Sequence, residues 1–488
     1  MTTNPTSGST GPQPPRIIQG GMGAAVSSWR LARAVSATGH LGVVSGTALD
    51  VVYARRLQDG DPEGHVRRAL AAFPVPEVAQ RVLDVYYLPA GRPARRPYRD
   101  VPMFTLAPPV ALQELTVVAN FCEVFLAKEG HPGVVGINYL RKIELPIPFA
   151  VLGAMLAGVD YVLVGAGSPA EMPELVRRLA RRDGVAMSVR AQGTTSADGE
   201  FAVRCSPRAL LGAGPPLHRP QLLAIVASTD LAAGLAADPL TRPDGFVIEG
   251  HTAGGHNAPP RGPRRTSPTG EPVYDDRDTV DPEAIRALGL PFWLAGSQGS
   301  PEGLRAAVAA GAAGVQVGTA FAFCAESSLA DPLKRQVLHA VAHGDVRVFT
   351  DWRVSPTGFP FKVLQVPGTL SDPDVRARPH ECDIGALRSP YRQADGTIGY
   401  RCPAEPIKMY VDKGGRAANT EGRVCLCNAL LATAGLPQQR PHGYDEPAIV
   451  TSGDDFGAVA ALIRSRPDEA PYPASAVIDY LSAAPSGP

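Results

Sequence analysis

The sequence predicts an α/β protein built on a (β/α)8 TIM barrel, with inserted segments and a cysteine-rich C-terminal extension. Three observations carry this. Short apolar runs recur that are nearly continuous rather than alternating, as parallel strands covered on both faces must be. Amphipathic, alanine-rich stretches stand between several of them, which makes a strand–helix repeat. There are eight such runs, and eight units over about 300 residues favour a closed barrel over an open sheet.

The eight candidate strands fall at residues 16–19, 41–45, 134–138, 161–164, 222–226, 246–249, 292–295 and 315–317. The first ends at Gly20-Gly21. A helix should follow, with Ser28 as N-cap, Leu31, Ala34 and Val35 on one face, and Gly39 as its stop. A second clear helix opens at Ser300-Pro301, with Leu304, Ala307 and Val308 sharing a face. Residues 185–189 and 201–203, joined through Asp198-Gly199, read as an inserted hairpin. Residues 51–128 are too many for a simple crossover and predict an extra helical cover.

The expected divisions are a disordered tail at 1–15, the barrel with insertions at 16–360, a cysteine-rich extension at 361–440, and a C-terminal segment at 441–488. Beyond about residue 455 one helix and a frayed end are expected. The Pro-, Arg- and Gly-rich run 258–281 is expected to loop near the mouth of the barrel.

Composition excludes some function classes. The chain has 488 residues, with 47 Lys+Arg against 47 Asp+Glu, so the formal net charge is zero. That removes the electrostatic case for a nucleic-acid or acidic-membrane partner. The opening residues are Thr, Ser, Pro, Gly and Asn without an apolar run, and no stretch reads as the roughly 18 apolar residues that span a bilayer. The expectation is a cytoplasmic protein acting on a small molecule.

Four places carry candidate chemistry. Gly20-Gly21-Met22-Gly23 lies between a strand and a helix, where small residues let a ligand approach the backbone. It lacks the spacing of a dinucleotide fingerprint. Ala295-Gly296-Ser297 and Gln316-Val317-Gly318-Thr319 close the seventh and eighth strands, where barrels commonly hold phosphate on backbone N–H groups and helix N-termini. In Glu249-Gly250-His251-Thr252-Ala253-Gly254-Gly255-His256, glycines let a loop pass under a planar ligand, and a histidine can exchange protons near neutrality. His256 is the stronger candidate, His251 the weaker. The late cysteines Cys382, Cys402, Cys425 and Cys427, with His380 nearby, are candidates for a Zn²⁺ or Fe–S site. The alternatives are reduced thiols packed as small hydrophobes, or redox-active thiols.

Together, the residue 17–23 run, the Glu249–His256 run, Ala295-Gly296-Ser297, and residues 315–321 with Glu326-Ser327 resemble the nitronate monooxygenase (2-nitropropane dioxygenase-like) family, in that family's order. The resemblance implies a barrel with non-covalent FMN. Gly21, Met22 and Gly23 would lie against the flavin, with Asn138 hydrogen-bonding it. Gly255, Gly296, Ser297, Gly318 and Thr319 would hold its phosphate end. His256 would act as base toward a nitroalkane or orient a nitronate, with O2 as oxidant. The same barrel and histidine also resemble flavin-dependent enoyl-thioester reductases, which use NAD(P)H. A third reading is a flavin-binding accessory component of a biosynthetic complex.

Overall fold

The computed structural model describes residues 14–378, 381–440, 443–464, 466 and 470–484. The expected tail lies outside these up to residue 13, and so does His380.

Eight parallel strands close into a barrel: β1 (Ile17–Gln19), β2 (Leu41–Ser45), β3 (Val135–Leu140), β4 (Tyr161–Gly165), β7 (Gln221–Val226), β8 (Gly245–Glu249), β9 (Phe292–Ala295) and β10 (Gly314–Val317). The skipped numbers belong to the inserted hairpin, β5 (Val185–Ser188) and β6 (Ala202–Cys205), whose strands pair antiparallel. Closure is made by β1 against β10, with Ile17 opposite Val315 and Gln19 opposite Val317.

The period of two along each strand explains the continuous apolar runs. Ile18, Val43, Leu163, Leu223, Val247 and Trp293 fill the barrel interior, while Ile17, Val44, Val162 and Phe246 face the surrounding shell. Trp293 seals the amino end by donating from Nε1 to Pro15 O at 2.7 Å.

The helical cover expected over residues 51–128 is present as Leu49–Gln58, His65–Ala71, Pro76–Tyr86 and Val110–Lys128. The last corrects one expectation. At 19 residues it is long and apolar enough to cross a membrane, yet most of it is buried against the barrel and its neighbours. Its Glu123 accepts hydrogen bonds from Trp29 N (2.7 Å), Tyr53 OH (2.7 Å) and Arg56 Nη1 (3.0 Å). The helix Trp29–Ser36 starts where expected, but Ser28 does not cap it through its side chain; Ser28 Oγ pairs with Ser328 Oγ at 2.7 Å. Ser300 does cap its helix, accepting from Gly303 N at 2.9 Å.

After the barrel come two antiparallel pairs, β11 (Val348–Asp351) with β12 (Phe361–Leu364), and β13 (Ser389–Arg392) with β14 (Ile398–Arg401). The first pair runs across position 360, and the segment leading into β12 lies on the His256 loop. Asn257 N donates to Pro360 O (3.0 Å), and Lys362 N to Gly255 O (2.9 Å). Beyond residue 455 there are two helices rather than one, Gly457–Arg464 and Ala474–Leu481. Pro471 and Pro473 precede the second and separate it from the first.

Candidate active site

A cavity of about 590 Å³ opens at the carboxyl ends of the barrel strands. That is where barrel folds place their chemistry, and the volume is in the range of small-molecule and cofactor sites. Gly21, Met22, Gly23, Asn138, Gly255, His256, Gly296, Ser297, Gly318 and Thr319 all line it. The sequence scattered these ten over about 300 positions; the barrel brings them onto one wall.

Backbone approach is tight on the floor. A Cβ at Gly21 would stand 2.5 Å from Asn138 Cβ, so no larger residue fits between β1 and β3 there. Gly296 adopts φ +92°, and a Cβ on it would meet Thr252 Oγ1 at 2.9 Å. The following Ser297 sits at φ +52°, left-handed geometry that a non-glycine residue holds only at a cost, and that concentrates at functional sites. Ser27 locks the loop after β1: its Oγ accepts from Met22 N (3.0 Å) and donates to Gly20 O (3.0 Å).

Asn138 Oδ1 and Gln316 Oε1 are buried in this wall without a hydrogen-bond partner. Buried amides left unpaired cost roughly 1–3 kcal/mol each, and at a cavity wall a polar ligand would remove that cost. Their chemistry and the glycine-lined backbone beside them fit the edge of a flavin ring. The glycines and Ser297–Thr319 at the other end fit a phosphate. Thr319 Oγ1 accepts from Gly453 N at 3.0 Å, which leaves its own proton free to donate.

His256 is open to the cavity but enclosed by protein. Its ring packs edge-on against Phe361 at 4.8 Å, and Nε2 lies 2.7 Å from Ser355 Oγ. Burial, with a further push from the Lys142 charge, holds its pKa well below the ordinary value, so the ring is neutral near pH 7. Ser355 Oγ also accepts from Thr357 N (3.2 Å) and lies 2.8 Å from Thr357 Oγ1. With Nε2–H donating to Ser355, the other ring nitrogen keeps its lone pair and is available as a base.

Two titratable groups share the wall. Glu249, at the end of β8, is pushed up to about 7 by burial, partly opposed by Lys142. Lys142, two residues beyond β3, is lowered to about 7 by burial, partly opposed by Glu249. His251 is placed differently. It stacks on Tyr274 at 4.3 Å, and Tyr274 OH donates to Ala258 O at 3.0 Å, which fixes the 258–281 loop. Ala258 and Arg261 of that loop reach the cavity rim.

The sequence reading missed several walls of the site: Phe359, Leu426, Leu430 and the run Thr451-Ser452-Gly453. Thr451 Oγ1 accepts from Gly255 N at 2.8 Å, and Asp454 N donates to Thr252 O at 3.1 Å. No local motif announces these residues. They reach the site by long-range packing.

The late cysteines share a neighbourhood. Asn428 Nδ2 donates to Asp383 Oδ1 (2.6 Å) and lies 3.6 Å from Cys425 Sγ, and Cys427 lines the cavity. Among the described residues, however, no three His, Cys, Asp or Glu side chains are grouped to hold a metal ion. The Zn²⁺ or Fe–S expectation at Cys382, Cys402, Cys425 and Cys427 therefore has no support. Burial pushes the Cys382 and Cys402 thiols up to about 12, which keeps them protonated, as small apolar packing groups are.

Residues 218–351 match the sequence model of the nitronate monooxygenase family, a stretch running from β7 through β11 and containing His256. Over this stretch the chain is similar to that family. A curated relative is the (3aS,4S,5R,7aS)-5-hydroxy-7a-methyl-1-oxo-octahydro-1H-indene-4-carboxyl-CoA dehydrogenase of Mycobacterium tuberculosis. It is 34% identical over 122 residues, 25% of this chain and 30% of the relative. A probable nitronate monooxygenase of Bacillus subtilis is 36% identical over 107 residues, 22% of this chain and 29% of the relative. The matched stretches thus span less than a third of either relative's length.

Among solved structures, FabK from Thermotoga maritima aligns at 16% identity and TM-score 0.46, covering 96% of this chain and 91% of that one. Nitroalkane oxidase from Streptomyces ansochromogenes aligns at 14% identity and TM-score 0.46, covering 96% and 95%. The nitronate monooxygenase match ends at β11, so the late cavity walls lie outside it.

Proposed function

We propose that the protein is an FMN-dependent oxidoreductase that oxidises a nitronate or nitroalkane with O2. The observation that carries this reading is one cavity at the carboxyl ends of the strands that combines two unpaired buried amides, a glycine-lined floor and the neutral His256–Ser355 pair. Bound FMN would supply the two-electron chemistry between substrate and O2.

The chain's own residues bind, orient and move a proton. Asn138 and Gln316 offer carbonyl oxygens to donors on the ring edge. Gly255, Gly296, Ser297, Gly318 and Thr319 line the cavity and would hold the phosphate end of bound FMN. His256 takes a proton from the carbon beside a nitro group, its ring held by Ser355 Oγ and Phe361. Phe359 and Phe361 shield the mouth from water.

A second reading is reduction of an enoyl thioester with NAD(P)H. A second cavity of about 340 Å³ adjoins the first through Ala48, Lys142, Ile143 and Ala386, and a two-chambered space gives room for a longer acyl substrate.

The test is an aerobic assay of purified protein showing a two-band flavin spectrum. Nitronate-dependent O2 uptake without NAD(P)H supports the first reading. NAD(P)H-dependent loss of an enoyl thioester, without nitronate turnover, replaces it with the second. Colourless, folded protein that takes up no FMN overturns both.

A further inference from the structure

Two adjacent cations beyond β3 have different fates. Arg141 is tied down: its guanidinium meets Glu144 at 2.5 Å and Glu171 at 2.9 Å, and it also donates to Ser188 O at 3.2 Å. Lys142 turns into the cavity instead. Its Nζ stands 3.5 Å from the centroid of the Phe359 ring, and among the described residues it makes no ion pair. Phe359 is itself one of the few large apolar side chains left exposed.

The other charged groups of the cavity wall are occupied or distant from this role. Arg261, at the rim, donates to Ala227 O at 2.7 Å, and Asp455 accepts from Gly457 N at 2.8 Å. Glu249 shares the wall with Lys142 without coming within ion-pair distance. A desolvated ammonium stacked on a ring, without a carboxylate bound to it, still has donors to give. The chemistry that uses them is an oxyanion, since charge-assisted hydrogen bonds to an anion are about twice as strong as neutral ones.

We propose that Lys142, seated on Phe359, is the anion-binding residue of this cavity and holds a small planar oxyanion, such as a nitronate or carboxylate, on the side facing His256. This rests on the flavin-enzyme reading for its catalytic meaning, not for its existence as a site. It deepens that reading by naming the substrate's charge: the reacting species arrives as an anion, so Lys142 sets specificity while His256 handles the proton. An uncharged thioester would gain a hydrogen bond to its carbonyl but no charge pairing.

Nitrate is a suitable probe, because it is planar, anionic and inert to oxidation. Binding of sodium nitrate is measured by calorimetry on the purified protein, at constant ionic strength made up with chloride and with flavin content determined on the same sample. Wild type should bind nitrate saturably, Lys142→Met should weaken it at least tenfold, and Lys142→Arg should stay within a few-fold of wild type. Melting curves of both variants establish folding. Equal nitrate affinity in Lys142→Met and wild type overturns the proposal, as does an absence of nitrate binding to wild type. Lys142-dependent nitrate binding to folded protein that takes up no added FMN upholds the anion site while removing the flavin-enzyme reading, so the two fail separately. In turnover, Lys142→Met should raise KM for the nitronate more than it lowers kcat.

Discussion

In the helical cover, the carboxylate of Glu123 takes three donors. At the barrel mouth the pattern is reversed: Asn138 Oδ1 and Gln316 Oε1 have none, and Lys142 stands over a ring rather than beside a carboxylate. Both regions bury polar groups beside an apolar core. The difference separates a polar group satisfied by the fold from two at the cavity wall that a ligand would satisfy, since an unpaired buried group is costly.

The comparison breaks most visibly at His256. His256→Ala should cut nitronate-dependent O2 uptake by about 10²–10⁴-fold while the flavin spectrum is kept. Wild-type turnover in that variant would move the base elsewhere.

Glu123→Gln should act on the opposite quantity. It leaves Arg56 beside a neutral side chain and should lower stability by about 3 kcal/mol in denaturant titration, since breaking a buried ion pair is costly. A shift under about 0.5 kcal/mol would mean the pair is dispensable and the contrast false.

Asn138→Ala gives a smaller and split effect. Flavin affinity should fall about tenfold, while the flavin-free protein loses less than about 1 kcal/mol, because the amide oxygen has no partner to lose. Equal losses in both forms would assign Asn138 to the fold.

The smallest effect is in pH. Lys142 and Glu249, facing each other from β3 and β8, both titrate at about 7, while His256 is already neutral and Arg141 is held by its two carboxylates. Raising the pH from 6 to 8 removes positive charge from Lys142 and adds negative charge to Glu249, so nitrate affinity should fall several-fold. Lys142→Arg, which stays charged, should flatten the curve to the part due to Glu249. An affinity that rises with pH would contradict both assignments.

Much of this was legible in the sequence, for reasons that are local. Each barrel strand is a short apolar run, six of the eight ending at or next to a glycine, and Ser300-Pro301 carries its cap in two adjacent residues. The ten expected cavity residues lie at strand ends, which a strand–helix repeat locates without knowing the closure.

What was not legible depends on distant contacts. Ser355 reaches His256 across 99 positions, and Thr451 reaches Gly255 across 196. Neither belongs to a spacing pattern. Ser28 occupies the right position for a cap, yet Ser328 claims its hydroxyl from 300 residues away. Helix Val110–Lys128 is long and apolar enough to span a membrane, although Glu114, Asn120 and Glu123 interrupt it. Packed in place, those groups are all buried. The late cysteines suggested a metal by number alone, and number does not set geometry.

The late wall of the cavity has a consequence for how the protein is made. Gly21 leaves the ribosome early, β1 waits for β10 before the barrel can close, and Thr451–Asp454 must follow before the loop carrying Gly255 is braced. At ordinary translation speeds that interval is roughly 20–90 s. Until then the glycine-rich floor and the unpaired amides, once made, stand without their roof. A cofactor loaded into this site is therefore retained only once residues 451–454 are in place, and a chain stalled before residue 451 would carry most of the binding residues without that brace.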